Sequence, residues 1–289
     1  MPCLRNTDPE TKGFHWAFKM HLDHLLDKGV GKINEDAILL GKNRFGVFDG
    51  ASSLDAYTDE EGRTGGYLAA NIVRDTFENS DLPIRETAIV ANRKIAEAMA
   101  AKGIDASRKE SSWCSTLAVV EIDLARKQFE WVQIADSLIV VIAKDGTPRA
   151  LVQDYDHDRS VMVQWKALAD NHTNDIRSKL QDRIVELRRT ANVAYGVLNG
   201  DSNAEKFLRT GRESLENTTH ILLFSDGLIF PKKDPRADDD FSLIAELFRQ
   251  GGLKRVRDTI RGIEDSDPNC WEYPRYKKSD DIAAVAISF

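Results

Sequence analysis

The chain has 289 residues, of which 42% are hydrophobic, enough to bury a core in one large domain or two small ones, and this excludes a disordered chain. Its formal net charge is -7 with acidic and basic residues mixed throughout, which excludes the basic stripe that contacts with a nucleic-acid backbone need. No apolar run approaches the roughly 20 residues of a membrane span, and residues 1–13 are polar, without the apolar centre of a secretion signal. Cys3, Cys114 and Cys270 are far apart, odd in number and without metal-ligand spacing, so a soluble protein of a reducing compartment, the cytoplasm, is expected.

Residues 14–20 alternate well enough for a first strand, and residues 22–31 read as a polar loop with a helical turn. His15, His21 and His24 cluster there, but their spacing along a strand and loop does not converge on one ion, and surface histidines are the plainer reading. Residues 32–53 then read as two short strands joined by a turn at 41–43, with Glu35 and Asp36 at the entrance and Asp49 with Gly50 at the exit. Asp49 follows the apolar run 45–48, where a carboxylate is costly unless it is paired or bound to a metal. An Asp-Gly pair also ends a strand as a simple turn, so the rest of the chain must decide.

After a polar loop, residues 65–77 place Leu68, Ala69, Ile72, Val73 and Phe77 on one helical face. Residues 83–99 do the same with Ile84, Ala88, Ala91, Ile95 and Met99, opened by a proline where a helix tolerates one. The period then changes, and 115–122, 129–134 and 138–143 read as strands. Between the last two, Ala135-Asp136-Ser137 is either a turn or another carboxylate brought to a sheet edge. In 147–217 an acidic loop at 154–158 surrounds His157, and helix-compatible stretches run from 161 to 189 and from 204 to 210. The Asp-His-Asp string reads as a solvated or hydrogen-bonded loop, because adjacent residues on an extended loop point in different directions. The apolar run 221–224 leads into Ser225-Asp226-Gly227, repeating the arrangement at Asp49. Amphipathic helices at 240–250 and 253–263 follow, and Asp280-Asp281 introduces a closing strand, 282–289.

Aspartates thus recur at strand ends along the whole chain. Carboxylates with few histidines and no paired cysteines are ligands of hard divalent cations, Mg²⁺ or Mn²⁺. Two such ions sharing a carboxylate can hold a hydroxide between them and clamp the oxygens of an in-line displacement at phosphorus. Phosphate-ester hydrolysis suits the set, although spacing alone leaves a nuclease or a carboxylate-rich sugar enzyme open.

Taken in order, Asn34-Glu35-Asp36-Ala37, Val47-Phe48-Asp49-Gly50, Ser115-Thr116, Ala135-Asp136-Ser137, Asp156-His157, Ser225-Asp226-Gly227-Leu228 and Asp280-Asp281-Ile282 resemble the motif series of the protein phosphatase 2C (PPM) family, most closely its bacterial branch. The resemblance spans residues 29–289. It implies an α+β fold, a four-layer αββα sandwich of two central antiparallel sheets flanked by pairs of helices, in one domain over 1–289 with a variable flap within about 155–217. It also implies hydrolysis of phosphoserine and phosphothreonine in proteins by a hydroxide bridging two Mn²⁺ or Mg²⁺ ions, with no covalent phosphoenzyme.

By position, Asp49, Asp226 and Asp280 are then the catalytic metal ligands, with Asp49 bridging both ions and the Gly50 carbonyl binding one. Glu35 and Asp36 would act through metal-bound water, and Asp136 would help hold a third ion. The sequence departs from the pattern in three places. The family's phosphate-gripping arginine is replaced by Gly31 with Lys32 beside it, a point charge in place of a two-pronged contact. Ala51 stands where the eukaryotic branch has a histidine, and Ala135 stands where a glycine is usual. These departures leave two alternatives: a catalytically weak relative that binds phosphoproteins or regulates a partner, and a phosphatase of small phosphorylated metabolites.

Overall fold

Apolar side chains fill both faces of most central strands, so each sheet must be covered on two sides, which dictates a layered molecule. The structure, a computed structural model, describes residues 20–105 and 107–289. In chain order its strands begin with β1 (His21–Asp27), β2 (Ala37–Leu40), β3 (Arg44–Phe48), β4 (Gly50–Ala51), β5 (Cys114–Ser115) and β6 (Leu117–Asp123). They continue with β7 (Gln128–Ile134), β8 (Leu138–Ala143), β9 (Pro148–Ala150), β10 (Arg209–Ser214), β11 (Thr218–Phe224) and β12 (Ile282–Ser288). The helices are α1 (Gly65–Glu78), α2 (Ile84–Ala101), α3 (Arg159–Ala169), α4 (Ile176–Lys179), α5 (Gln181–Arg189) and α6 (Phe241–Ser266).

One antiparallel sheet has the order β10-β7-β6-β3-β2 and the other β1-β12-β11-β8-β9, while β4 and β5 form a short pair of their own. Alternation sorts the side chains into layers. In β6, Leu117 and Val119 join Ala69, Val73, Ile95 and Met99 of α1 and α2, whereas Ala118 and Val120 face Ile139, Leu223 and Val285 of the other sheet. The outer face of that second sheet, with Val140, Leu222 and Ala284, is covered by Ile244, Phe248, Val256 and Ile260 of α6. This is the four-layer α+β arrangement that the motif series implies.

The single element α6 covers its side as a pair of helices, because it breaks at Gly251 and Gly252. Gly252 has φ 68° and ψ -167°, a conformation open at low cost only to glycine. Immediately beyond it, the Leu253 amide donates to Asp23 Oδ2 at 3.0 Å, so a side chain of β1 caps the second half of α6.

The hairpin of β2 and β3, the helices α1 and α2, and the strands β6, β7, β8, β11 and β12 lie where the periodicity places them. Three segments differ. Residues 22–31, read as a loop, contain β1, which pairs with β12 from His21 opposite Ser288 to Asp27 opposite Ile282. An edge strand is held by its backbone ladder and needs few buried side chains, and here Leu22 and Leu26 remain 43% and 49% exposed. Residues 204–210 form a short 3₁₀ turn (Ser202–Lys206) followed by β10, another mostly polar edge strand held by β7. The stretch 161–189 is three helices, interrupted where His172 and Asp175 take positive φ. The strand expected at 14–20 and His15 lie outside the described residues apart from Met20, and His21 and His24 are exposed on β1.

Removing the cap with Asp23→Ala should lower unfolding stability by about 1 kcal/mol. Forcing a Cβ into the break with Gly252→Ala should cost about 1–3 kcal/mol. Equilibrium urea unfolding measures both, and a Gly252→Ala protein as stable as the parent would contradict this account of the break.

Candidate active site

The register of the two sheets brings several strand ends to one edge. Phe224 of β11 lies opposite both Leu138 and Ala284, Leu117 lies opposite Ile134, and Phe48 lies opposite Ala37. The residues just beyond these positions therefore share one end of the sandwich: Asp49 after β3, Asp136 in the turn between β7 and β8, Asp226 after β11, and Asp280 before β12. All four line a single cavity of about 510 Å³ together with Glu35 and Gly50.

Each carboxylate is held from the backbone outward. The Asp49 carbonyl accepts from the Thr116 amide at 2.9 Å, and Gly50 pairs with Ser115 in β5. A Cβ on Gly50 would stand 2.4 Å from the Gly66 carbonyl oxygen and 2.5 Å from that of Glu35, so only glycine lets this turn rest against the start of α1. Glu35 Oε1 accepts from Ser52 Oγ at 2.5 Å and from the Thr64 hydroxyl, while Thr64 also caps α1. Asp281 is a clamp: its two carboxylate oxygens accept from the amides of Gly29 and Glu35, each at 2.8 Å, tying the approach to β2 onto the start of β12.

Two residues singled out from the sequence do not line the cavity. Asp36 is buried, and its Oδ2 accepts from Ser225 Oγ at 2.7 Å beside Asp226. Lys32 is exposed and outside the lining. Ala135 meets the demand of its turn with φ 60°, the left-handed region that costs an alanine roughly 1 kcal/mol. Behind that turn, the hydroxyls of Ser137 and Thr116 are 2.5 Å apart in a buried hydrogen bond.

Other cavity residues carried no sequence signal. Lys277, Tyr276, Tyr195, Arg188 and Cys114 all line it. His157 and Asp158 do too, so the acidic loop expected to be solvated or hydrogen-bonded is part of the wall. His157 stacks on Tyr195 with ring centroids 4.1 Å apart, and its Nδ1 is 3.7 Å from Asp136 Oδ2. The preceding Asp156 turns to Arg159 and Lys232 instead, as the geometry of an extended loop demands.

Electrostatics explain what such a cavity needs. Burial pushes Asp36, Asp49 and Asp226 well above the ordinary carboxylate range, and neighbouring carboxylates push them further: Asp280 and Asp226 on Asp36, Asp36 and Asp136 on Asp49, Asp280 and Asp49 on Asp226. The Lys277 ammonium meets Asp280 Oδ1 at 2.6 Å. Burial pulls that ammonium down, but Asp280, Asp226 and Asp49 outweigh burial and hold it above the usual lysine range.

The donor set is almost all oxygen, and Asp136 Oδ1 is buried without a hydrogen-bond partner, with its lone pairs free for a cation. Among the described residues no three His, Cys, Asp or Glu side chains close on one point. Mg²⁺ keeps several waters in its shell and binds through one or two carboxylates, so these residues fit a hard, partly hydrated ion.

The family model for Protein phosphatase 2C matches residues 28–261. This chain belongs to that family. It is accordingly a phosphatase, and serine/threonine protein phosphatases share its fold. The catalytic domain of serine/threonine protein phosphatase PstP, solved with 2 manganese ions, superposes with TM-score 0.56 at 17% identity, over 93% of this chain and 97% of that one. PppA of Pseudomonas aeruginosa gives TM-score 0.57 at 18% identity, over 93% and 98%. Stp1 of Staphylococcus aureus gives 0.58 at 14% identity, over 94% and 95%. At these identities the likeness is one of fold. A search of curated proteins returns no match.

Two measurements test this wall of the phosphatase. Because the Asp226 carboxyl titrates above its unfolded value, the folded state holds a proton that the unfolded state releases, and stability is lost as pH rises through the raised value. In EDTA-treated protein, the melting temperature of Asp226→Asn relative to the parent should therefore be similar near about pH 4 and increasingly higher toward about pH 8. A difference that does not grow with pH would contradict the repulsion. Ala135→Gly should stabilise the fold by about 1 kcal/mol in urea unfolding, since glycine adopts the same φ without strain.

Proposed function

We propose that this phosphatase hydrolyses phosphoserine and phosphothreonine in proteins with Mn²⁺ or Mg²⁺ ions held by Asp49, the Gly50 carbonyl, Asp226 and Asp280, and with a third ion at Asp136. The observation that carries the reading is the convergence of Asp49, Asp136, Asp226 and Asp280 on one cavity from separate strand ends, in a chain of the protein phosphatase 2C family. When bound, such ions acidify water to near neutrality and neutralise the oxygens of a transferring phosphoryl group.

The chain's own residues supply the rest. Asp49 feels Asp36, Asp136 and Asp280 and is felt by Asp226, so this central carboxylate would be the one to help hold both ions. Asp226 and Asp280, from neighbouring strands of the other sheet, complete one side. Glu35, fixed by Ser52 and Thr64, faces the cavity and orients water, while Asp36 fixes the end of β11 through Ser225. Direct attack by water is favoured over a covalent phosphoenzyme. Among the described residues the one thiol in the cavity wall, Cys114, is pushed up by burial and stays protonated, a poor nucleophile.

The solved relatives named as serine/threonine phosphatases support protein substrates. The net charge of -7 argues against nucleic acid, and no described helix is long and apolar enough to cross a membrane. Cys114 and Cys270 are buried free thiols, which supports a reducing compartment such as the cytoplasm.

Purified protein with Mn²⁺ should release phosphate from p-nitrophenyl phosphate and from a phosphoserine peptide, and EDTA should stop it. Asp49→Asn should reduce kcat by more than about 100-fold while the protein stays folded. A higher kcat/KM for phosphopeptides than for a panel of sugar phosphates would favour protein substrates over small metabolites. Turnover that persists in EDTA would defeat the assignment.

A further inference from the structure

The cavity holds the carboxylates that suit cations, but a phosphate ester also needs a donor for its own oxygens. Lys32, the position nearest the family's arginine, is exposed and outside the cavity lining. A guanidinium does enter the cavity from another direction, on α5. Ile184 of that helix is buried in a small core with Trp165, Ile176 and Leu180, and Arg188 lies four residues on, on the same helical face. The face that packs inward therefore continues into Arg188, which lines the cavity with Asp49 and Asp226.

The surroundings of Arg188 are unusual for an arginine. Its basic neighbours on the helix are paired at the surface: Arg189 with Glu110 at 3.0 Å, and Arg183 with Glu186. Among the described residues, Arg188 has no carboxylate in ion-pair contact. Burial works against its charge, but the Cys114 thiol that it contacts, the phenols of Tyr195 and Tyr276, and the field of Asp49 outweigh burial and hold it above the usual arginine range. Burial also pushes both phenols up, so they stay neutral and do not act as its counter-ions. A partly buried guanidinium at the cavity wall with no carboxylate paired to it suits an anionic ligand. Its planar fork of N–H groups matches two phosphoryl oxygens, which a lysine ammonium does not.

We propose that Arg188 grips the phosphate of the substrate, so that in this phosphatase the phosphomonoester dianion is bound by α5 rather than by the segment preceding β2. The proposal rests on the phosphatase reading above and deepens it by naming the residue that recognises the phosphate. The rival explanation is that Arg188 only fills space between Tyr195 and Tyr276 and props α5.

The test uses the full chain with Mn²⁺ and compares Arg188→Lys and Arg188→Ala with the parent, with Arg189→Ala as an exposed control. The readouts are KM for a phosphoserine peptide, the inhibition constant of inorganic phosphate, Mn²⁺ affinity by calorimetry, and the melting curve. Arg188→Ala should raise KM and the phosphate inhibition constant by about tenfold or more. Arg188→Lys should fall in between, with Mn²⁺ affinity and Arg189→Ala near the parent. Should Arg188→Ala fail to fold, Arg188→Lys decides. An unchanged phosphate inhibition constant in a folded variant overturns the proposal, and so does a loss of Mn²⁺ affinity equal to the loss of phosphate affinity. If the parent releases no phosphate, the phosphatase reading fails by itself. Calorimetric binding of inorganic phosphate to the Mn²⁺-loaded parent and Arg188→Lys still decides for Arg188, with equal affinities counting against it.

Discussion

Like charges confined together are the constraint on which this molecule turns. Asp36, Asp49 and Asp226 repel one another and their neighbours at the end of two stacked sheets, out of reach of bulk water's full screening. They stay there because none can retreat without breaking a strand. Asp49 is one bond from the buried β3, Asp226 follows the wholly buried end of β11, and Asp280 enters β12 through Asp281, whose carboxylate is committed to two backbone amides. The interdigitated layer of Phe45, Val120, Ile139, Leu223 and Val285 between the sheets opposes the repulsion and fixes the distance across which the acids face each other. Destabilisation is thus concentrated where the chemistry is, and stability is supplied elsewhere.

The sequence revealed whatever depended on local pattern. Strands with two buried faces, such as β6 and β8, announce themselves through unbroken apolar runs, and α1 and α2 through their period. An aspartate followed by glycine after an apolar run marked both Asp49 and Asp226. Two edge strands escaped, because β1 and β10 are mostly polar and stabilised by ladders with β12 and β7 that no single segment encodes. The long stretch from 161 to 189 read as helix-compatible because its apolar residues keep the right spacing, while the break lies in the Asn- and Asp-rich run 170–175, where His172 and Asp175 take positive φ. Membership of the cavity wall was the least legible property: Lys277, Tyr276 and Arg188 come to it only through the packing of distant segments. The use of Asp281 as a clamp was equally hidden, since its neighbour Asp280 is identical in type and turns the other way.

The three departures from the family pattern are absorbed differently. Ala135 keeps the turn at Asp136 by taking a left-handed backbone, so the change appears as local strain and leaves the carboxylate at the wall. Ala51 sits in β4, paired with Cys114, and brings no titratable group of its own. The change at Gly31 is the deepest, for it removes a charge from the approach to β2. Arg188 brings a guanidinium to the cavity wall from α5.

The hydrogen bond from Trp165 Nε1 to the Cys270 carbonyl, 2.9 Å long, hangs α3 from the loop that runs between α6 and β12. That loop is knotted around Asp267, which accepts from the amides of Trp271 and Tyr273 and from Arg275, and farther along it bears Lys277 and Asp280. The helix α3 and the cavity-lining Asp280 are therefore mechanically one piece. A change in the small aromatic nest around Trp165 would therefore be transmitted along the 267–281 loop to the position of Asp280 at the cavity wall.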